Sequence, residues 1–121
     1  MSNLLLVGAG GFVGSVLRYS TQLLVYRVLP QHTFPIGTLV VNVLGCLAIG
    51  FLGSKAGVTE GARLFLVVGL FGGFTTFSTF GFETVDLARE SSAFAAALNV
   101  ALQIALGLPA VWLGSYLARS V

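Results

Sequence analysis

The residues in this 121-residue chain that can do chemistry are few, and most of them carry no charge. Gly72-Gly73-Phe74-Thr75-Thr76-Phe77-Ser78-Thr79-Phe80 interrupts an apolar run with two glycines and four hydroxyls. Glycines weaken a helix, and hydroxyls compete for the backbone hydrogen bonds that a helix needs. At membrane depth such a break is tolerated only when buried in protein or lining a water-filled cavity, so function is expected there. Phe77 and Phe80 stand three apart, on one face of any helix that resumes after the glycines. A phenyl ring has a negative face and a positive edge, so two edges turned into a narrow passage would help hold a small anion. The same pair could equally pack against lipid or a neighbouring helix. Thr38 with Asn42, and Asn99 with Gln103, are pairs four apart in apolar runs. Their amides either glue helices together or offer N–H donors to a dehydrated anion. Arg18 either snorkels to the interface near the end of its helix or concentrates anions at a pore mouth. Glu83 would cap a helix, pair with Arg18, or gate.

Bond-making chemistry is not expected. His32 is the only histidine and reads as an interfacial loop residue, so no metal-ligand cluster can form around imidazoles. Glu60, Glu83, Asp86 and Glu90 fit no Ser/His/Asp or Cys/His arrangement. Cys46 is alone in an apolar run and reads as a small buried hydrophobe, with no intrachain disulfide possible. Gly8, Gly11 and Gly14 have the spacing of a nucleotide-binding turn. That site needs an acidic residue ~20 positions later, and the first acid in the chain is Glu60, so no nucleotide is expected.

Composition sets the elements that must position these groups. The chain is 56% hydrophobic and 8% charged, with mean hydropathy +0.98. A soluble domain carries ~25% charged residues, so this is an integral membrane protein. The net charge of +2 comes from scattered basic residues, which make no nucleic-acid stripe. Four segments are long enough to span a bilayer: Leu4 to Val25, Ile36 to Leu52, Leu64 to Phe82 and Ala93 to Leu117. Short polar connectors join them, and Tyr19, Tyr26, Trp112 and Tyr116 fall near segment ends, where amphipathic rings prefer the interface. The expected fold is all-α, a single domain over residues 1–121. It has four transmembrane helices, the third broken near Gly72-Thr76, and both termini on one side. The first run starts at Leu4 without a basic region before it, so it reads as a retained helix rather than a removable signal peptide.

Lys55, Arg63 and Arg119 flank one side, and Arg27, Arg89 and Arg18 the other. Orientation follows the excess of Lys and Arg, and three against three is no excess. Insertion in both orientations, and with it an antiparallel homodimer, is therefore expected. Glycines punctuate every helix and read as packing faces, which lipid-embedded helices need for close approach. Gly10-Gly11-Phe12 recurs as Gly72-Gly73-Phe74, a match short enough to be coincidence.

The third-run motif Gly72–Phe80, with Glu83 after it, closely resembles the signature of the small Fluc (CrcB) fluoride channels. Pro35-Ile36-Gly37-Thr38-Leu39-Val40-Val41-Asn42 is similar to that family's second-helix motif, and Gly10 through Arg18 to its first. The resemblance implies a dual-topology homodimer in the cell inner or plasma membrane, with two antiparallel pores passing fluoride passively out of the cytoplasm. It implies pore phenylalanines at Phe77 and Phe80, the pore amide at Asn42, and hydroxyls along the pathway at Thr38, Ser78 and Thr79. Arg18 matches the vestibule arginine and Glu83 the acid beyond the rings. Backbone carbonyls of Gly72 and Thr75, from both subunits, would hold a structural sodium ion. A small proton-coupled multidrug exporter is the alternative, but it needs an ionisable group deep in a helix. A non-transporting membrane subunit would leave the break unexplained.

Overall fold

The computed structural model describes residues 2–30 and 33–120, so His32 lies outside the described residues. All regular structure among them is helical. Three spans are continuous: α1 (Ser2–Val28), α2 (Ile36–Ser54) and α6 (Ala93–Ser120). The remaining span, Glu60–Glu90, is built in pieces. It runs α3 (Glu60–Arg63), a π-helical segment (Leu64–Phe71), α4 (Gly72–Phe74) and α5 (Phe77–Glu90). Each of the four is long and apolar enough to cross a membrane. This span continues past Phe82 to Glu90, so Glu83, Asp86 and Glu90 ride on the same helix as the phenylalanine pair.

The break lies within the expected Gly72–Thr76 stretch, at its threonine end. Gly72 and Gly73 are helical, and the chain turns extended at Thr75 (φ −76°, ψ 158°) and Thr76 (φ −151°, ψ 117°). Two local bonds end the first half: Thr75 N–H and Thr75 Oγ1 both donate to Phe71 O, at 3.0 and 2.9 Å. Thr76 then starts the second half as an N-cap, its Oγ1 accepting Thr79 N–H at 3.2 Å.

The glycines serve contact instead. α1 lies on the π-helical segment and α4 with Gly10, Gly11 and Gly14 against Gly69 and Gly73. A methyl group at Gly73 would meet Gly11 O at 2.6 Å, and one at Gly69 would meet Gly10 Cα at 2.9 Å. Gly11 of one Gly-Gly-Phe stretch thus meets Gly73 of the other across this seam. A second seam joins α2 to α6, where a methyl at Gly50 would lie 3.0 Å from Val111 Cα. Ser115 Oγ donates to Gly50 O across this seam at 3.2 Å. Cys46, half-buried, sits opposite Gly107 on it. Without a hydrophobic drive between helices in lipid, such backbone approach is what holds them together.

Candidate functional site

Asn42 of α2 stands opposite the break and binds it as a second peptide group would. Its Oδ1 accepts Thr76 N–H at 2.9 Å and its Nδ2 donates to Thr76 O at 3.1 Å. The other Nδ2 proton goes to Gln103 Oε1 of α6, also at 3.1 Å. In a continuous helix Thr76 N–H would point at Gly72 C=O. Here Asn42 takes it, which keeps the two half-helices apart. Thr76 Oγ1 extends the network to Thr79 Oγ1 at 3.0 Å and Ser78 Oγ at 3.3 Å. Thr76 is 6% exposed, so these bonds are made away from solvent.

One helical turn earlier on α2, Thr38 makes a second rung. It accepts from Gln22 Nε2 of α1 at 3.1 Å and donates to Glu83 Oε1 of α5 at 2.9 Å. Thr38 is buried, and Glu83 Oε2 is buried without a partner among the described residues. These side chains lie at the base of a vestibule of about 570 Å³, whose walls also carry Thr79, Asp86 and Glu90.

Past Thr79 the lining changes character. Phe80 belongs with Phe77, Asn42, Thr75, Thr76 and Gln103 to an apolar groove of about 860 Å³ along the side of the chain. The Phe77 and Phe80 rings meet edge to face, with centroids 5.5 Å apart and planes at 63°. Phe77 is 82% exposed and Phe80 half-buried. Beside the groove, Asn99 Nδ2 donates to Thr84 Oγ1 at 2.8 Å, and Thr84 Oγ1 donates to Phe80 O at 2.7 Å. This chain of bonds fastens the turn that carries Phe80 to α6. Asn99 is fully buried, and its Oδ1 has no partner among the described residues.

Arg18 lies ten residues before the end of α1 rather than near it, and its Nη1 donates to Thr75 O at 3.4 Å. No ion pair joins it to Glu83 among the described residues; Glu83 bonds Thr38 instead. The carbonyls of the break suit a hard monovalent cation in kind. Gly72 C=O has lost its helical donor to Asn42, and Thr75 C=O sits in extended backbone. A methyl at Gly72 would meet nothing within 4 Å, so that side of the break is open. Neutral carbonyl oxygens bind such ions by their dipoles. Thr75 O has a second lone pair besides the one Arg18 uses.

The structure thus joins Thr38 to Glu83, Asn42 to the Thr76–Ser78–Thr79 cluster, and Arg18 to Thr75. Sequence reasoning passed over Gln22, although it follows Arg18 by one helical turn inside an apolar run, the signal that singled out Asn42.

Residues 5–115 match the family described as CrcB-like protein, Camphor Resistance (CrcB). The Fluoride-specific ion channel FluC of Elusimicrobium minutum (strain Pei191) is 46% identical over 116 residues, covering 96% of this chain and 93% of that protein. The FluC protein of Ruminiclostridium cellulolyticum is 43% identical, covering 100% of this chain and 95% of its own. That of Flavobacterium psychrophilum is 38% identical and aligned over the whole of both chains.

Proposed function

The chain belongs to the CrcB-like family of multi-pass membrane proteins, and from that premise we propose that it is a fluoride-selective passive channel rather than an enzyme. It exports fluoride from the cytoplasm through the cell inner or plasma membrane. The single domain over residues 1–121 works as an antiparallel homodimer with two pores and a central structural sodium ion. One observation carries the reading. Two phenyl rings in edge-to-face contact share a groove with amides and hydroxyls, and no carboxylate or amine lines it among the described residues.

Fluoride is small and holds its water tightly, so a pore must replace hydration with fixed donors. Conduction also requires binding weak enough for exit. A row of fixed cations would hold the ion; ring edges, amides and hydroxyls exchange it. The ion enters through the vestibule, and Arg18, held on Thr75 O at the break, raises the local anion concentration along the path. It passes Thr38, Thr79 and Glu83, then Ser78 and the Asn42–Thr76 rung, and reaches the rings of Phe80 and Phe77. Thr79 faces the vestibule and its neighbour Phe80 the groove, so α5 supplies the handover.

A second copy of the chain supports this reading by closing what one copy leaves open. The groove runs along the side of the chain and Phe77 is largely uncovered. Carbonyls of Gly72 and Thr75 from both copies would hold the sodium ion, which would supply a fixed charge tying the two breaks together by ion–dipole attraction. Efflux from liposomes holding the purified protein tests the function. Fluoride should leave rapidly while chloride stays inside. Fluoride release no faster than from empty liposomes would refute it.

A further inference from the structure

Gln22 of α1 is half-buried in the wall of the vestibule, one helical turn after Arg18. Its stem lies along Gly37 of α2, where a methyl group would already stand 3.4 Å from Gln22 Cγ and 3.5 Å from its Cβ. Its Nε2 reaches the next residue, Thr38, at 3.1 Å, and Thr38 Oγ1 reaches Glu83 Oε1 of α5 at 2.9 Å. The direction of both bonds follows from a count of protons. An ionised carboxylate only accepts, and a hydroxyl has one proton. Thr38 gives that proton to Glu83, so the group facing its lone pair must be a donor. Turning the Gln22 amide over would set Oε1 against Thr38 Oγ1 with no proton between them.

Thr38 is 1% exposed, so both bonds are made away from solvent. Hydrogen bonds in series polarise one another, and a donor on its lone pair makes the hydroxyl a stronger donor to the carboxylate. The chain Gln22–Thr38–Glu83 ties α1, α2 and α5 together and holds the carboxylate against α2. Glu83 Oε2 is buried without a partner, so among the described residues Thr38 alone fixes this side chain by a hydrogen bond. The other titratable groups of the vestibule lining are Tyr26 on α1 and Asp86 and Glu90 on α5. α2 brings no charged residue to that lining, and Arg18 is bonded to Thr75 O.

We propose that Gln22 is a positioning residue of the pathway. Its Nε2 fixes the direction of the Thr38 hydroxyl and, through it, the place of the Glu83 carboxylate beside the passing anion. The inference rests on the channel reading above. The carboxylate carries a charge of the ion's own sign. Pinned by Thr38, it keeps to the α2 wall with its charge partly taken up by a donor. Released, it turns into the passage and repels the ion.

Gln22→Met keeps length and removes the donor, and fluoride efflux should fall about threefold, the worth of one such bond between membrane helices. Gln22→Glu keeps the shape and sets a second acceptor against Thr38 while both carboxylates are ionised. At about pH 7 and above, its efflux should lie below that of Gln22→Met. As the pH falls toward about 5, the new carboxyl takes up a proton, the more readily for the like charge beside it. It then donates to Thr38 as the amide did, and efflux should return to the wild-type rate at that pH, each rate corrected for empty liposomes. Recovery on acidifying the same liposomes shows that the variant is folded. Tyr26→Glu adds the same charge one turn further along α1, away from Thr38, and its deficit at pH 7 should be clearly smaller. Unchanged efflux through Gln22→Met would overturn the proposal. So would equal rates for Gln22→Met and Gln22→Glu at every pH, or an equal deficit in Tyr26→Glu, which would leave charge alone as the cause. A wild type that passes no fluoride refutes the channel reading itself, whereas wild-type efflux with indifferent variants refutes this proposal alone.

Discussion

Replacing Asn42 by Ala removes three hydrogen bonds from one place: two to the Thr76 backbone and one to Gln103. Side-chain bonds between membrane helices contribute ~0.6 kcal/mol each on average, so the loss is roughly 2 kcal/mol. It falls on one conformational choice. Freed from Asn42 Oδ1, Thr76 N–H can turn back to Gly72 C=O and close the helix. If the open break is favoured by about 2 kcal/mol through Asn42, losing that bias cuts the open-to-closed ratio roughly thirtyfold, from about 30:1 to about 1:1, so the competent population, and flux with it, falls about twofold. The chain as a whole should still fold, because the glycine seams of α1 and α6 do not involve Asn42. Fluoride efflux from liposomes measures the first effect, and amide exchange at Thr76 the second, by its altered protection. Asn42→Ser should keep part of both. Near-normal efflux through Asn42→Ala with unaltered exchange at Thr76 would show that the break stands without its clamp.

Three further outcomes follow from the same geometry. If sodium binds the carbonyls of Gly72 and Thr75, replacing it with a large organic cation should lower the melting temperature, as loss of any native-state ligand does. A sodium current accompanying fluoride would contradict a structural role. Since Arg18 lies within α1, the flanking bases are Lys55, Arg63 and Arg119 against Arg27 and Arg89. Arg27→Gln with Arg89→Gln should force one orientation and abolish efflux, and activity in cells holding a single orientation would refute the antiparallel dimer. Gly73→Val places a side chain where a single methyl already meets Gly11 O at 2.6 Å. Overpacking of this kind costs about 1–3 kcal/mol, read as a lower denaturation midpoint; an unchanged midpoint would mean the seam gives way.

The four spans were legible because long uncharged runs leave little else for a chain to do. Their ends were less so. The apolar run of the third span ends at Phe82, but its helix continues to Glu90 as a polar end, with Glu83, Asp86 and Glu90 at helical spacing along the vestibule. The break was legible within Gly72–Thr76, and it falls at the threonine end of that stretch rather than at the glycines. Glycine weakens an isolated helix, but Gly73 is held by its seam with Gly11, whereas Thr75 Oγ1 doubles its own N–H bond to Phe71 O and Thr76 Oγ1 takes over the Thr79 N–H. No residue pattern announces the π-helical turn at Leu64–Phe71. Of the two Gly-Gly-Phe stretches, Gly11 and Gly73 meet in the seam, which a three-residue match cannot reveal. At the site, spacing put Thr38 and Asn42 on one face of α2. It could not say that their partners would be Glu83 and Thr76, more than thirty residues away. The two options written for Arg18, interface or pore mouth, did not name the partner its side chain finds, the carbonyl of the break.

The central claim is that the ion passes the ring edges of Phe77 and Phe80, and fluoride efflux through Phe77→Ile and Phe80→Ile tests it most directly. Isoleucine keeps apolar bulk and removes the positive edge. Phe→Met should be the better tolerated change, because a polarisable, flexible side chain can adapt. With each variant shown by size exclusion to assemble as wild type does, the account predicts strongly reduced fluoride efflux from both isoleucine variants. Normal efflux through both would mean that the rings only pack, and that fluoride takes another route.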